Sequence, residues 1–189
     1  LTEFPMQLIN GFLASDGTVA LDGSMSGEIN AAGPVSKLVL EGELMPDSVH
    51  ILSPLYSVNL RVENKPISIK NSKLHFDNMS LYSISENPLM VNGNIDFAQF
   101  DAIRMDLGLK ANNFEIINSQ QTRQTVVYGN VFTNIDATLK GTTNLLVLRG
   151  NLKVLDKTNM TYVMKDSPLT VEDRLSGLVE FVDFTDTTH

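Results

Sequence analysis

The feature that most limits what this chain can become is an alternation of period two. From Val19 the odd positions run Val19, Leu21, Gly23, Met25, Gly27, Ile29 and Ala31, with Asp22, Ser24, Ser26, Glu28 and Asn30 between them. Successive side chains of a strand point to opposite faces, so this spacing describes a strand with one dry face and one wet face. The pattern recurs in Leu38, Leu40, Gly42 and Leu44, in Leu89, Val91, Gly93, Ile95 and Phe97, and in Ile103, Met105, Leu107 and Leu109. It returns in Val131, Thr133, Ile135, Ala137 and Leu139, and in Leu146, Leu148, Gly150, Leu152 and Val154. Weaker strand signals fall near 56–62, 67–76, 79–84, 113–117, 125–130 and 159–164.

Turn residues separate these runs: Gly33-Pro34, Asn64-Lys65-Pro66, Asp77-Asn78, Asn87-Pro88 and Gly141-Thr142. The connections are short, which favours antiparallel meanders over helical crossovers. No shift in composition divides the chain, so residues 1–189 read as one all-β domain built on a curved, mostly antiparallel sheet. One segment departs from the alternation. Thr170-Val171-Glu172-Asp173 has the form of a capping box, and Val171, Leu175, Leu178, Val179 and Val182 follow at helical spacing. A short amphipathic helix over about 171–183 is predicted, with a further strand over Leu178–Phe184 as the rival.

A sheet with all its apolar residues on one face must cover that face, and one short helix cannot cover six or more strands. The sheet therefore closes on itself as a sandwich or barrel, or curls into a trough whose lining stays available. Gly23, Gly27, Gly42, Gly93 and Gly150 all sit on the apolar side. Interior glycine weakens a strand, so its repetition points to bends or close approach. The rest of that side is Leu, Ile, Val and Met with few aromatics, a surface that suits acyl chains and an ordinary core alike.

Composition removes other classes. The chain has 14 Lys and Arg against 22 Asp and Glu, a net charge of −8, which leaves no basic stripe for nucleic acid or for an anionic membrane surface. It has no cysteine, hence no disulfide or thiolate metal site. His50, His75 and His189 lack metal-ligand spacing, and Asp16-Gly17 and Asp22-Gly23 lack the register of a calcium loop. Glu180, Asp183 and Asp186 form an acidic cluster among residues that read as exposed, a poor setting for paired acid–base chemistry. Asn78-Met79-Ser80 and Asn159-Met160-Thr161 match the glycosylation tripeptide but lie on predicted strands. No apolar run reaches the roughly 18 residues of a membrane span. The chain starts at Leu1 and is expected to be a piece of a longer protein. A non-enzymatic protein without cofactor or metal is expected.

The segments GPVSKLVLEGEL (33–44) and GTTNLLVLRGNL (141–152) share the form G-x-x-x-x-L-x-L-x-G-x-L. With NPLMVNGNIDF (87–97), VYGNVF (127–132) and YVMKDSPLTV (162–171), this cadence resembles the TamB family, in the versions found in Bacteroides-type bacteria. The resemblance extends over essentially the whole chain. It implies relatives that are AsmA-like, bridge-like lipid-transfer proteins, anchored in the inner membrane by a helix outside this segment and crossing the periplasm as a taco-shaped sheet with an apolar interior. It further implies phospholipid acyl chains as cargo, a TamA-like outer-membrane partner, and outer-membrane protein strands as clients templated by β-augmentation. Edge-to-edge self-association is a further expectation for an open sheet.

The alternation alone favours a closed core, since any antiparallel sheet needs one dry face. The resemblance turns the reading toward a groove. Its expected lining is Leu21, Met25, Ile29, Leu38, Leu40, Leu44, Val91, Ile95, Met105, Leu107, Leu109, Ile135, Leu139, Leu146, Leu148 and Leu152.

Overall fold

The computed structural model describes residues 2–12, 19–34, 37–99, 102–122, 125–143 and 145–163. The expected helix over 171–183, its strand rival, the acidic cluster and His189 lie outside them, as does Asp16-Gly17.

Among the described residues the chain forms eleven strands in one sheet. In order they are β1 (Phe4–Pro5), β2 (Ala20–Ala32), β3 (Val39–Ser53), β4 (Val58–Val62), β5 (Ile67–Lys70), β6 (Lys73–Tyr82), β7 (Leu89–Asp96), β8 (Arg104–Ser119), β9 (Val127–Thr142), β10 (Leu145–Val154) and β11 (Asn159–Tyr162). A 3₁₀ segment, Met6–Phe12, follows β1. The strand order is β1-β2-β3-β4-β6-β7-β8-β9-β10, with β5 pairing β3 and β6 and β11 pairing β9. Every pairing is antiparallel. β4 and β5 thus share one rank of the sheet, interrupted at Glu63-Asn64-Lys65-Pro66, and β10 and β11 share another. Proline lacks the N–H that a ladder needs, which is why the first interruption falls at Pro66.

The alternation predicts this all-β meander, and the structure refines it at the bulges. Asp77-Asn78 is not a turn between strands: it is a bulge within β6, where the pairing with β7 skips from Phe76↔Gly93 to Met79↔Val91. The turn lies earlier, at Asn71 and Ser72, both with positive φ. The stretches 104–109 and 113–117 are one strand, β8, joined through a bulge at Asn112-Asn113, and 127–139 is likewise continuous in β9. Asn78 (φ 47°) and Asn113 (φ 53°) hold the left-handed conformation that Asn tolerates best among residues with a Cβ. Each is secured by an asparagine across the ladder: Asn78 N–H donates to Asn92 Oδ1 at 2.8 Å, and Asn113 N–H to Asn134 Oδ1 at 2.8 Å. The extra residue restores the phase, so the apolar set stays on one face on both sides of the bulge.

The glycines on the dry face mark close contacts. A Cβ at Gly42 would lie 2.0 Å from the carbonyl oxygen of Glu28 on β2, and one at Gly150 would lie 2.3 Å from the Asp136 carbonyl oxygen and 2.6 Å from the Ala137 Cβ. With φ of 158° at Gly42 and 153° at Gly150, a Cβ would point into the backbone of the neighbouring strand, leaving no room for a side chain. Gly108, on the wet face, has its nearest such neighbour at 3.8 Å. Gly42→Ala is expected to cost at least ~2 kcal/mol in chemical denaturation, and Gly108→Ala to stay within ~0.5 kcal/mol.

Candidate apolar groove

Cross-strand register carries one row of lining from edge to edge. Ile29 faces Gly42, Gly42 faces Ile69, Ile69 faces Leu74, Leu74 faces Ile95, Ile95 faces Met105, Met105 faces Gly141, and Gly141 faces Leu146. A second row runs Phe76, Gly93, Leu107, Leu139 and Leu148, and a third Met79, Val91, Leu109, Ala137 and Gly150. No polar side chain interrupts any of the three. The opposite face carries the charges at the same end of the sheet. There Lys73 Nζ meets Asp96 at 3.1 Å and Lys140 Nζ meets Asp106 at 2.9 Å. The Ala98 N–H, with Lys73 and Arg104 beside it, holds the Asp96 carboxyl below the ordinary carboxylate range against the opposing effect of partial burial.

The dry face is not equally covered along its length. Near the β3–β4 turn the sheet folds over and meets itself: Ser57 Oγ donates to the Val127 carbonyl at 2.9 Å, and the Val126 N–H to the Leu55 carbonyl at 3.3 Å. Farther along the strands Phe114, Thr133 and Met79 are completely or almost completely buried. Toward the other end the same face opens into a cavity of about 250 Å³ lined by Phe4, Met6, Ile9, Met25, Ile29, Leu40, Leu44, Ile69, Leu74 and Phe97, apolar without exception. At the β10 edge it is uncovered. Leu148, Leu152, Val154, Met160 and Tyr162 are each half or more exposed, and no described strand pairs with the outer edge of β10.

The sixteen residues expected to line a groove fall into three groups along this gradient. Leu44, Val91 and Leu107 are buried in the core. Leu21, Met25, Leu40, Ile95, Leu109, Ile135 and Leu139 are half-buried and packed against it, and Met105 is half-buried beside them. Ile29, Leu38, Leu146, Leu148 and Leu152 are exposed. Met25, Ile29, Leu40 and Leu44 meet in the cavity, whereas Leu146, Leu148 and Leu152 line the distant edge. Sequence reasoning missed Phe4, Met6 and Ile9, because the alternation of Phe4, Met6 and Leu8 in FPMQLINGF stops after three positions and leaves Ile9 out of phase. It missed Ile69 and Leu74 because the Asn71-Ser72 turn cuts their segment into pieces too short to show alternation. Of the histidines, His50 Nδ1 is bonded to Asn59 Oδ1 at 2.7 Å, and His75 sits opposite Asn94 and Ser68. Among the described residues no helix is long and apolar enough to cross a membrane.

These features define an all-β protein built on one large antiparallel sheet, with its dry face covered in places and uncovered at the β10 edge. Residues 79–188 match the TamB C-terminal domain, more than half of the chain, and the chain belongs to the TamB family. That family comprises non-enzymatic modules of envelope biogenesis and transport that work with TamA-like partners in outer-membrane assembly. Comparison with curated proteins and with solved structures gives no match.

The gradient separates two substitutions of identical chemistry. Leu107→Asp places a carboxylate in the core and is expected to cost more than ~3 kcal/mol or abolish folding. Leu148→Asp, at a side chain 60% exposed, is expected to change stability by no more than ~1 kcal/mol in the same thermal melt.

Proposed function

We propose that the dry face of this sheet is a conduit that shields phospholipid acyl chains as they cross the periplasm between inner and outer membranes. The single observation that carries this reading is the uninterrupted apolar row from Ile29 to Leu146 across the whole sheet, with a wholly apolar cavity at one side and an uncovered edge at the other. Each methylene taken out of water is worth roughly 0.8 kcal/mol, so an incompletely covered trough still holds a chain. Movement requires that no position hold it much more strongly than the next. A lining of Leu, Ile, Met and Gly without an ionic anchor meets that condition. The headgroup stays in water, and the anchoring helix belongs to the longer protein of which this chain is a segment.

A second reading has its own observation. β10 presents an unpaired edge among the described residues together with Leu146, Leu148, Leu152 and Val154 on its dry side. Such an edge supports β-augmentation by a strand of an outer-membrane protein client, during assembly with a TamA-like partner, or by a second copy of the chain.

Mass spectrometry of the protein extracted gently from cells separates the two. The conduit reading expects co-purified phospholipid that Leu148→Asp diminishes in a folded protein. Absence of lipid, with client strands crosslinked along β10 and lining variants still competent, would favour the edge reading.

A further inference from the structure

The 3₁₀ segment Met6–Phe12 has no role in the sheet. β1 holds only two ladder positions, Phe4↔Met25 and Pro5↔Ser24, after which the chain leaves the edge and turns onto the dry face. Met6 is 6% exposed and, with Ile9, forms one wall of the apolar cavity whose other walls include Met25, Leu40, Leu74 and Phe97. Leu8, between them, is 62% exposed. Two inward residues at a spacing of three, with an outward one between, place this segment where a bound hydrocarbon chain would lie.

What holds it there is weak. Runs of 3₁₀ helix beyond three or four residues are uncommon because their hydrogen bonds are poorly aligned, and this one has seven residues. Its polar attachment to β2 is local: Asn10 Nδ2 donates to the Leu21 carbonyl at 3.0 Å, Asn10 Oδ1 accepts the Leu21 N–H at 2.7 Å, and Gln7 bonds to Asp22. Asn10 in effect imitates a strand neighbour at Leu21, and water can take its place at small net cost. The space already open beside Met6 and Ile9, about 250 Å³, exceeds the ~150 Å³ of an apolar cavity that stays dry and admits benzene.

We propose that Met6–Phe12 is a displaceable intramolecular occupant of the groove: Met6 and Ile9 fill this end when it is empty and yield the cavity to an alkyl chain. The inference rests on the groove reading and adds a gate to it. An incoming chain replaces the buried contacts of Met6 and Ile9 with its own methylenes, so the exchange is close to balanced, and the empty groove keeps its apolar floor covered.

The chain has no cysteine, so a single engineered disulfide can lock the segment. Pro5 and Ser24 are directly opposed, and antiparallel partners at roughly 4.5–5.5 Å between Cα atoms fall within disulfide range. The 189-residue chain carrying Pro5→Cys and Ser24→Cys is photolabelled with a diazirine derivative of palmitic acid, oxidised and after reduction, and adducts are mapped by mass spectrometry. The expected result is label on Met25, Leu74 and Phe97 in the reduced form and about tenfold or greater loss of it on oxidation, the scale of one buried apolar side chain. Label on Leu146 and Leu148 should be the same in both. Equal cavity label in both forms overturns the gate and leaves the groove standing. No label on any lining residue in either form removes the groove reading itself. Asn10→Ala, which deletes the attachment to Leu21 without touching the cavity, is expected to raise cavity label in the unlocked chain. If the cysteine pair does not fold or oxidise, unchanged label in Asn10→Ala overturns the proposal.

Discussion

The structure depends on one constraint: a hydrogen-bonded sheet whose three lining rows match each apolar position, strand by strand, to another apolar position or to glycine. Because the side-chain period is two, a slip of one residue anywhere would turn a whole strand's leucines to water. The bulges at Asp77-Asn78 and Asn112-Asn113 keep the phase where strands bend, and the asparagines opposite them hold the spare N–H groups. The glycines answer the related steric problem. At Gly42 and Gly150 the positive φ would drive any Cβ into the backbone of the paired strand, so only a hydrogen atom fits. Curvature, register and lining are thus one property of the chain.

The same dry face is closed at some places along the strands and open at others. At Phe114, Met79 and Thr133 the interior is closed to solvent. Farther along, the identical alternation lines a cavity and then an uncovered edge. Closed and open stretches of one lining thus coexist along the same strands. The closed end supplies the stability that lets the rest of the lining remain partly exposed, which an isolated open sheet could not sustain.

Much of this was legible in the sequence, for physical reasons. Period two survives in any strand long enough to repeat, so β2, β7 and β10 are readable nearly to the residue. The segment from Ile67 to Tyr82 was blurred because a bulge and a two-residue turn each resemble the other in composition: Asp77-Asn78 and Asn71-Ser72 are equally turn-like, and only the ladder distinguishes them. Burial along a strand was not legible at all. Leu107 and Leu148 occupy the same cadence in the same row of the sheet, yet one lies in the core and the other at the edge, a difference made by strands far away in the chain. The alternation of Phe4, Met6 and Leu8 is too short to mark a strand and would set Leu8 rather than Ile9 beside Met6, so the segment's contact with the lining could emerge only from the fold.

The conduit reading requires that the dry face, and only that face, receive alkyl chains. Paramagnetic broadening of methyl resonances by nitroxide-labelled stearic acid tests it directly, because β10 presents leucines and valine on both sides at one edge. Leu146, Leu148 and Leu152 continue the lining, while Leu145 and Val147 point to the other face and are also exposed. The account predicts broadening of Leu146, Leu148, Leu152 and Leu40 with Leu145 and Val147 left sharp. Equal broadening on the two faces, or none on the lining, would contradict it.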